Sequence, residues 1–144
     1  MPLILPLTTI FAEEAKVRAL AFGAIFAVAG GMAQAQDISG IYQTQANDDG
    51  NFGMVEFYDC GGRYCGKLIR SFDKSKKEIS SPHIGRNIVA DMVSDGGGKF
   101  SGGTIWDPGA DKTYRSKMQM DGNRLSVSGC VAIICKTQNW VKVR

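Results

Sequence analysis

The stretch KTYRSKMQMDGNRLSVSG, residues 112–129, decides the fold. From Tyr114 to Met120, mostly apolar or aromatic residues alternate with polar and charged ones, and the same two-residue period returns from Leu125 onward. Such a period places one set of side chains on each face of a β-strand. The dipeptide Asp-Gly at 121–122 lies between the two runs and accepts the positive φ angles of a tight turn. The stretch therefore predicts an antiparallel β-hairpin.

The same alternation recurs along the chain and predicts an all-β fold. Turn residues such as Gly, Asp and Asn separate most of the runs, and a longer polar connection spans residues 71–86. Short strands joined mainly by hairpins favour a small eight-stranded up-and-down antiparallel barrel, because closure removes exposed sheet edges. An open sandwich is the alternative. The eight strands are expected at about 40–46, 53–60, 64–70, 87–93, 103–107, 112–120, 123–130 and 137–143.

The N-terminal region has the features of a secretion signal. Fourteen uncharged residues, 19–32, follow Lys16 and Arg18 and precede the tripeptide Ala-Gln-Ala that ends at Ala35. A membrane-spanning helix needs about 20 apolar residues, so this run is too short. We predict a signal peptide over residues 1–35, cleaved after Ala35, although residues 1–15 fit poorly and suggest a later translation start. The product is then a single periplasmic or secreted domain, residues 36–144, without a membrane span.

Composition excludes one class of partner. The 144-residue chain is 44% hydrophobic and 22% charged, and its net charge is +3. That composition fits one globular domain. The charge is far below the basic excess with which a protein displaces counterions from nucleic-acid phosphates. We therefore expect no nucleic-acid partner.

The four cysteines form two pairs, Cys60 with Cys65 and Cys130 with Cys135, each separated by four residues. In an exported protein an even number of cysteines indicates disulfides. A short hairpin connection brings its flanking positions within disulfide range, which favours two local bridges. A four-thiolate zinc site and a free catalytic thiol are the alternatives.

Several motifs in a shared order resemble the exported bacterial family called domain of unknown function 2147 (DUF2147). They are Cys60-Gly-Gly-Arg-Tyr-Cys-Gly, Gly103-Thr-Ile-Trp-Asp-Pro, Lys112-Thr-Tyr, Gly129-Cys and Thr137-Gln-Asn-Trp. The resemblance spans about residues 38–144 and implies a lipocalin-like β-barrel whose role is largely uncharacterised.

Two departures from the family pattern stand out. Where members have Gly-x-Trp, this chain has Gly40-Ile-Tyr42. The resemblance therefore implies Tyr42 at the barrel floor, beneath Lys142 or Arg144. The loop at 74–83 lacks the Asp-x-x-Asn motif that members often carry.

No set of residues predicts catalysis, a metal site or a cofactor. The one histidine, His83, lies in a polar segment beside Pro82 and is expected to be a solvated loop residue. The acid pairs Asp48-Asp49 and Asp107 with Asp111 fall in turns, where weak Ca²⁺ binding is the alternative to a purely structural role. The lysines within 74–77 are expected to form a solvated face, or to hold an anionic surface or ligand.

The aromatic and methionine residues lead to the functional hypotheses. Inward-facing members could line a cavity for a small apolar or amphipathic ligand. We therefore expect a non-enzymatic ligand-binding barrel of the cell envelope. The alternative is an envelope interaction module or inhibitor that presents hairpin loops to a protein partner. The predicted pocket residues are Tyr42, Tyr64, Trp106, Tyr114, Met118 and Trp140.

Overall fold

The computed structural model describes residues 37–144, so the predicted signal peptide and its cleavage site lie outside the described residues. The described part of the chain forms nine β-strands and no helix. Their bounds are β1 Gly40–Gln43, β2 Phe52–Asp59, β3 Tyr64–Phe72, β4 Glu78–Ile79, β5 Asn87–Gly96, β6 Lys99–Asp107, β7 Lys112–Asp121, β8 Arg124–Val131 and β9 Ile134–Lys142.

Eight of these strands close into an antiparallel barrel. Apart from β4, each strand pairs with its neighbours along the chain, and β1 also pairs with β9. The two-residue strand β4 adds only to the edge of β3. The predicted up-and-down barrel is confirmed, and the open sandwich is excluded because the pairing returns to its starting strand.

The hairpin predicted from residues 112–129 is the β7–β8 hairpin. Met118 lies opposite Val127 and Met120 lies opposite Leu125, with all four side chains buried. Gly122 takes a φ of 63° at the turn, as the Asp-Gly signal predicts.

The β5–β6 hairpin is longer than the sequence suggests. Its strands were expected to stop at 93 and resume at 103, but β5 continues to Gly96 and β6 begins at Lys99. The glycine run makes this tight turn possible, since Gly97 and Gly98 both have positive φ. The glycines therefore form a hairpin turn, as their turn chemistry indicates, and only the predicted strand bounds were too short.

Alternation of strand direction gives the barrel two distinct ends. The lower end contains the termini of the described chain and the β2–β3, β5–β6 and β7–β8 turns. The upper end contains the β1–β2, β3–β5, β6–β7 and β8–β9 connections.

Each disulfide clamps one hairpin at one of these ends. Cys60 is bonded to Cys65 at the lower end, and Cys130 is bonded to Cys135 at the upper end. The predicted local pairing is confirmed. A four-thiolate zinc site and a free thiol are both excluded, because all four sulfurs are oxidised.

Aromatic side chains fill the lower end of the barrel. Tyr42 and Trp140 both contact Phe57, the former edge-on with ring centroids 5.3 Å apart and the latter at 6.2 Å. The hydroxyl of Tyr42 donates a hydrogen bond of 2.9 Å to the carbonyl of Ile38. Lys142 lies opposite Tyr42 in the β1–β9 pairing, so the basic residue that the family resemblance implies is next to the floor.

Burial raises the pKa of Tyr42 to about 12, and the negative charge of Asp37 adds to the shift. The phenol must stay neutral in the folded barrel, whereas the unfolded chain ionises it near pH 10. The stabilisation is therefore complete below pH ~10 and declines as the pH rises towards ~12, by about 2–3 kcal/mol in total.

We predict that the free energy of unfolding falls over this alkaline window in the wild-type protein and much less in Tyr42→Phe. Denaturant unfolding from about pH 8 to about pH 12 measures it. Tyr58→Phe is the matched control, since that hydroxyl donates to Asn87 on the outer wall. Equal alkaline declines in Tyr42→Phe and the wild type would contradict the prediction.

Candidate functional site

Five of the six predicted pocket residues face the barrel interior. Tyr42, Met118 and Trp140 are buried in its core, and Tyr64 packs edge-on against buried Phe100 with centroids 5.8 Å apart. Tyr114 is half-buried near the upper end, on the same face of β7 as Met118. The structure thus brings these residues into one interior, in separate layers.

Trp106 does not face that interior, contrary to the expectation. It lies opposite Thr113, on the outer face of the β6–β7 pair, while its neighbour Ile105 lies opposite inward-facing Tyr114. Its indole N–H donates to the Oδ1 of Asp111 at 2.9 Å. The segment before β5 covers its ring: the Arg86 guanidinium carbon is 3.3 Å from the ring centroid.

His83 joins the same outer cluster. Its ring is edge-on to Trp106 with centroids 5.0 Å apart, and the residue is half-buried. The expectation of a solvated loop histidine is therefore wrong. Together with Arg86, it fastens the 73–86 connection to the barrel wall through the ring of Trp106.

Small inward-facing residues do not open a chamber in the middle of the barrel. A Cβ at Gly66 would be 2.9 Å from Val55 and 3.1 Å from Phe57, and a Cβ at Gly103 would be 2.5 Å from the sulfur of Met92. These glycines make room for neighbouring large side chains. The lower and middle layers of the interior are therefore a packed core.

The interior is less tightly closed towards the upper end. Tyr114 and Ile105 are only half-buried there, although Gly129 itself is closely packed, since a Cβ on it would be 3.1 Å from Ile105. Gln138 accepts a 2.9 Å hydrogen bond from the indole N–H of Trp140. We call these four residues, Ile105, Tyr114, Gly129 and Gln138, the upper mouth.

A separate, shallow depression of about 360 Å³ lies on the outer wall. Most of its lining side chains point away from the barrel axis, so it is not the chamber expected from the sequence. Its lining residues are Asp95, Lys99, Phe100, Ser101, Lys117, Met118, Gln119, Ser126 and Ser128.

The most exposed apolar feature of the described chain is the tip of the β8–β9 hairpin. Val131, Ile133 and Ile134 are 62%, 95% and 74% exposed, and Ala132 completes the turn. We call residues 131–134 the apolar tip. The Cys130–Cys135 disulfide closes its base, and the guanidinium of Arg115 donates to the Ala132 carbonyl at 3.2 Å.

Sequence reasoning missed this feature. Its signal was present, because Val-Ala-Ile-Ile is an uninterrupted apolar run at a position where a turn normally has polar residues.

Charge is distributed unevenly between the two parts of the described chain. Residues 112–144, which form β7 to β9, contain seven basic residues and one acidic residue, Asp121. Residues 37–111 contain eight basic and eleven acidic residues. The apolar tip therefore belongs to the basic part of the barrel.

Comparison with known sequences identifies the family. The profile of the family described as "Uncharacterized protein conserved in bacteria (DUF2147)" matches residues 40–142. The chain belongs to the DUF2147 family. The resemblance inferred from its motifs is confirmed. Among curated proteins, no sequence matches it.

A solved structure shares the fold of this DUF2147 protein. Protein HP1028 from Helicobacter pylori, described as belonging to the lipocalin family, is similar with a TM-score of 0.61 and 21% identity. The match covers 75% of this chain and 84% of that one. The barrel is thus lipocalin-like.

Two further features bear on chemistry and membrane topology. Within residues 37–144, the group of potential metal ligands is Cys60, Cys65 and Asp91, but both of its cysteines are in a disulfide and offer no thiolate. No helix in the described residues has the length and hydropathy to cross a bilayer.

The side chains of the turn aspartates Asp107 and Asp111 accept hydrogen bonds within or next to their own loop. Asp107 accepts a hydrogen bond of 2.9 Å from the backbone N–H of Gly109, while Asp111 accepts one from the indole N–H of Trp106. These contacts match the structural role that sequence reasoning assigned to turn aspartates.

The contacts of Trp106 with Arg86 and His83 lead to a testable prediction. Replacing Arg86 with Gln removes the cation–π contact that fastens the 73–86 connection, so this segment opens more often. We expect trypsin to cleave after the lysines within 74–77 about three to ten times faster, with little change in the melting temperature of the barrel. Arg63→Gln, in the exposed β2–β3 turn, is the control because it also removes one tryptic site. Unchanged cleavage in Arg86→Gln would show that the stacking does not hold the segment.

Proposed function

We propose that this DUF2147 protein is a non-enzymatic interaction module of the bacterial cell envelope. In this proposal the packed barrel is a rigid support, and the apolar tip is the part that contacts a partner. The single observation that carries it is the exposure of Val131, Ile133 and Ile134 on a disulfide-closed hairpin.

Leaving these aliphatic side chains in water carries a free-energy cost that contact with a partner would remove. Burying an aliphatic side chain of this size is worth about 1.5–3 kcal/mol. Single exposed apolar residues are common on protein surfaces, but a contiguous exposed cluster indicates a contact surface. At residues 131–134 the cluster occupies the outermost point of a hairpin, where any approaching surface meets it first.

The scaffold lowers the entropic cost of such a contact. A loop that is ordered before binding loses little conformational freedom when the partner arrives. The apolar tip is held by the Cys130–Cys135 bond, by the hydrogen bond from Arg115 and by the Val131–Ile134 strand pairing. These restraints favour binding by a preformed tip.

The proposed location in the cell envelope follows from the two disulfides and from the sequence of the N-terminal region. Both disulfides are typical of proteins exported from the reducing cytoplasm. The uncharged run at residues 19–32 and the Ala-Gln-Ala site support secretion into the periplasm or beyond.

Small-ligand binding is a second candidate, and the upper mouth is the observation that favours it. Half-buried Tyr114 and Ile105, together with Gln138, would offer a small amphipathic molecule apolar contact and hydrogen bonds. The packed middle layers restrict such a ligand to this end. The first candidate is preferred because the aliphatic side chains of the apolar tip are mostly exposed, whereas Tyr114 and Ile105 of the upper mouth are half-buried.

We predict that a photo-crosslinking amino acid at position 133 forms adducts in living cells. The same amino acid at Val93, which is 40% exposed on the outer wall, is the control and should give few. Electrophoresis and mass spectrometry of the purified protein detect protein and lipid adducts alike. Equal labelling at the two positions would contradict a specific role of the apolar tip.

The second candidate predicts a different result. Native mass spectrometry of the purified protein would show a bound small molecule, and Gly129→Val would displace it by filling the upper mouth. Ile133→Ser, the control, would retain it. A retained ligand together with absent crosslinks at position 133 would favour ligand binding over the interaction module.

A further inference from the structure

We propose that the partner of the apolar tip is the surface of an anionic phospholipid bilayer. Val131, Ile133 and Ile134 would enter the boundary between headgroups and acyl chains, and nearby basic residues would contact lipid phosphates. This inference rests on the proposed function and names the partner that the tip contacts.

The shape and chemistry of the tip favour a bilayer over a protein groove. Its exposed side chains are aliphatic and carry no hydrogen-bonding groups that would specify a protein partner. A four-residue turn is also much smaller than the roughly 800 Å² per partner of a stable protein interface. Hydrocarbon accepts apolar side chains without shape complementarity, so a small tip is sufficient for weak, reversible attachment.

Positive charge surrounds the tip where phosphates would lie. Arg115 is fixed against the tip by its bond to the Ala132 carbonyl, and exposed Lys136 follows Cys135 in β9. Lys112 lies at the upper end of β7, the strand that pairs directly with β8 of the tip hairpin. Basic residues close to an anionic membrane surface are attracted to it, and salt weakens that attraction.

The acidic groups at the upper end determine which edge of the barrel approaches the bilayer. Asp48 and Asp49 lie in the β1–β2 loop, Asp73 follows β3, and Asp107 and Asp111 flank the β6–β7 loop. The one acid within β7 to β9, Asp121, lies at the lower end. The β8–β9 edge should therefore approach first, with the acidic loops tilted away from the lipid.

The lysines within 74–77 belong to the loop of Asp73, four strands from β8, so they tilt away from the lipid together with that loop. Lys74, Lys76 and Lys77 are exposed in the connection between β3 and β4, at the same end of the barrel as the apolar tip.

The test is vesicle flotation with the processed protein purified from the envelope. Vesicles of phosphatidylcholine mixed with phosphatidylglycerol should bind it, whereas pure phosphatidylcholine vesicles should bind it weakly, and added NaCl should release it. The double variant Ile133→Ser, Ile134→Ser should bind about tenfold less to the anionic vesicles. Val141→Ser, Val143→Ser is the matched control, since these lower-end residues are 42% and 50% exposed on the same basic segment.

Two double variants, one at the upper end and one at the lower end, test the contribution of the basic residues separately. Arg115→Gln, Lys136→Gln should bind about tenfold less to the anionic vesicles and lose much of the salt dependence. Arg63→Gln, Lys99→Gln removes the same charge at the lower end and should bind like the wild type. All of these positions are exposed, so circular dichroism and thermal unfolding should be unchanged.

Fluorescence of Ile133→Trp reports insertion directly, because brominated acyl chains quench only an indole that reaches the lipid. Val141→Trp should not be quenched. Binding that is equal in the tip variant and the wild type, or an unquenched indole at 133, would overturn the bilayer inference. If vesicles do not bind but crosslinks at 133 capture a protein in cells, the bilayer inference fails and the proposed function survives. If neither occurs, both fail.

Discussion

Closure of the barrel by the short strand β1 is the constraint on which the rest of the structure depends. All four residues of β1 pair with β2, and Tyr42 and Gln43 also pair with β9, so β1 connects the first and last long strands. The backbone N–H of Ile41 donates to the carbonyl of Arg144 at 2.9 Å, and that of Val143 donates back to the Ile41 carbonyl at 2.8 Å. Without the pairing of β1 with β2 and β9, these two long strands would expose unpaired edges. Gly40 permits the close approach, since a Cβ there would be 2.8 Å from the Cε of Lys142.

The closed barrel also explains which parts of the fold could be predicted from the sequence and which could not. A two-residue period defines two faces of each strand, and the Asp-Gly turn fixes the β7–β8 register, so the inward set from Ser116 to Met120 could be predicted. The two-residue period alone does not identify the inward face of a strand when both of its faces carry apolar residues. In β6, Ile105 and Trp106 are adjacent, and only the 73–86 connection packed on the outside makes a buried outer tryptophan possible. That contact joins segments distant in sequence, so alternation carries no signal for it.

The interior shows a similar limit for the candidate site. Aromatic and methionine residues on inward faces are equally compatible with a lined chamber and with a solid core. The outcome depends on the inward glycines, Gly66 and Gly103, and on whether their neighbours fill the space they leave. Val55, Phe57 and Met92 do so, which is a property of three-dimensional packing and of no single strand. The apolar tip was predictable in principle, because its four residues are consecutive and the cysteines on either side mark them as a turn.

The two disulfides close rings of equal size, yet they enclose different chemistry. Each joins cysteines five positions apart, so the unfolded-chain entropy that each removes is about the same, on the order of 2 kcal/mol. The lower ring encloses Gly61, Gly62 and Arg63, which suit a solvated turn, and Tyr64, which packs inward on Phe100, whereas the upper ring encloses the exposed apolar tip. Stability alone gives no reason for this difference, since polar residues would close the upper hairpin equally well without exposing aliphatic surface. The aliphatic content of the upper ring is therefore the feature that stability leaves unexplained, and the proposed contact with another surface would account for it.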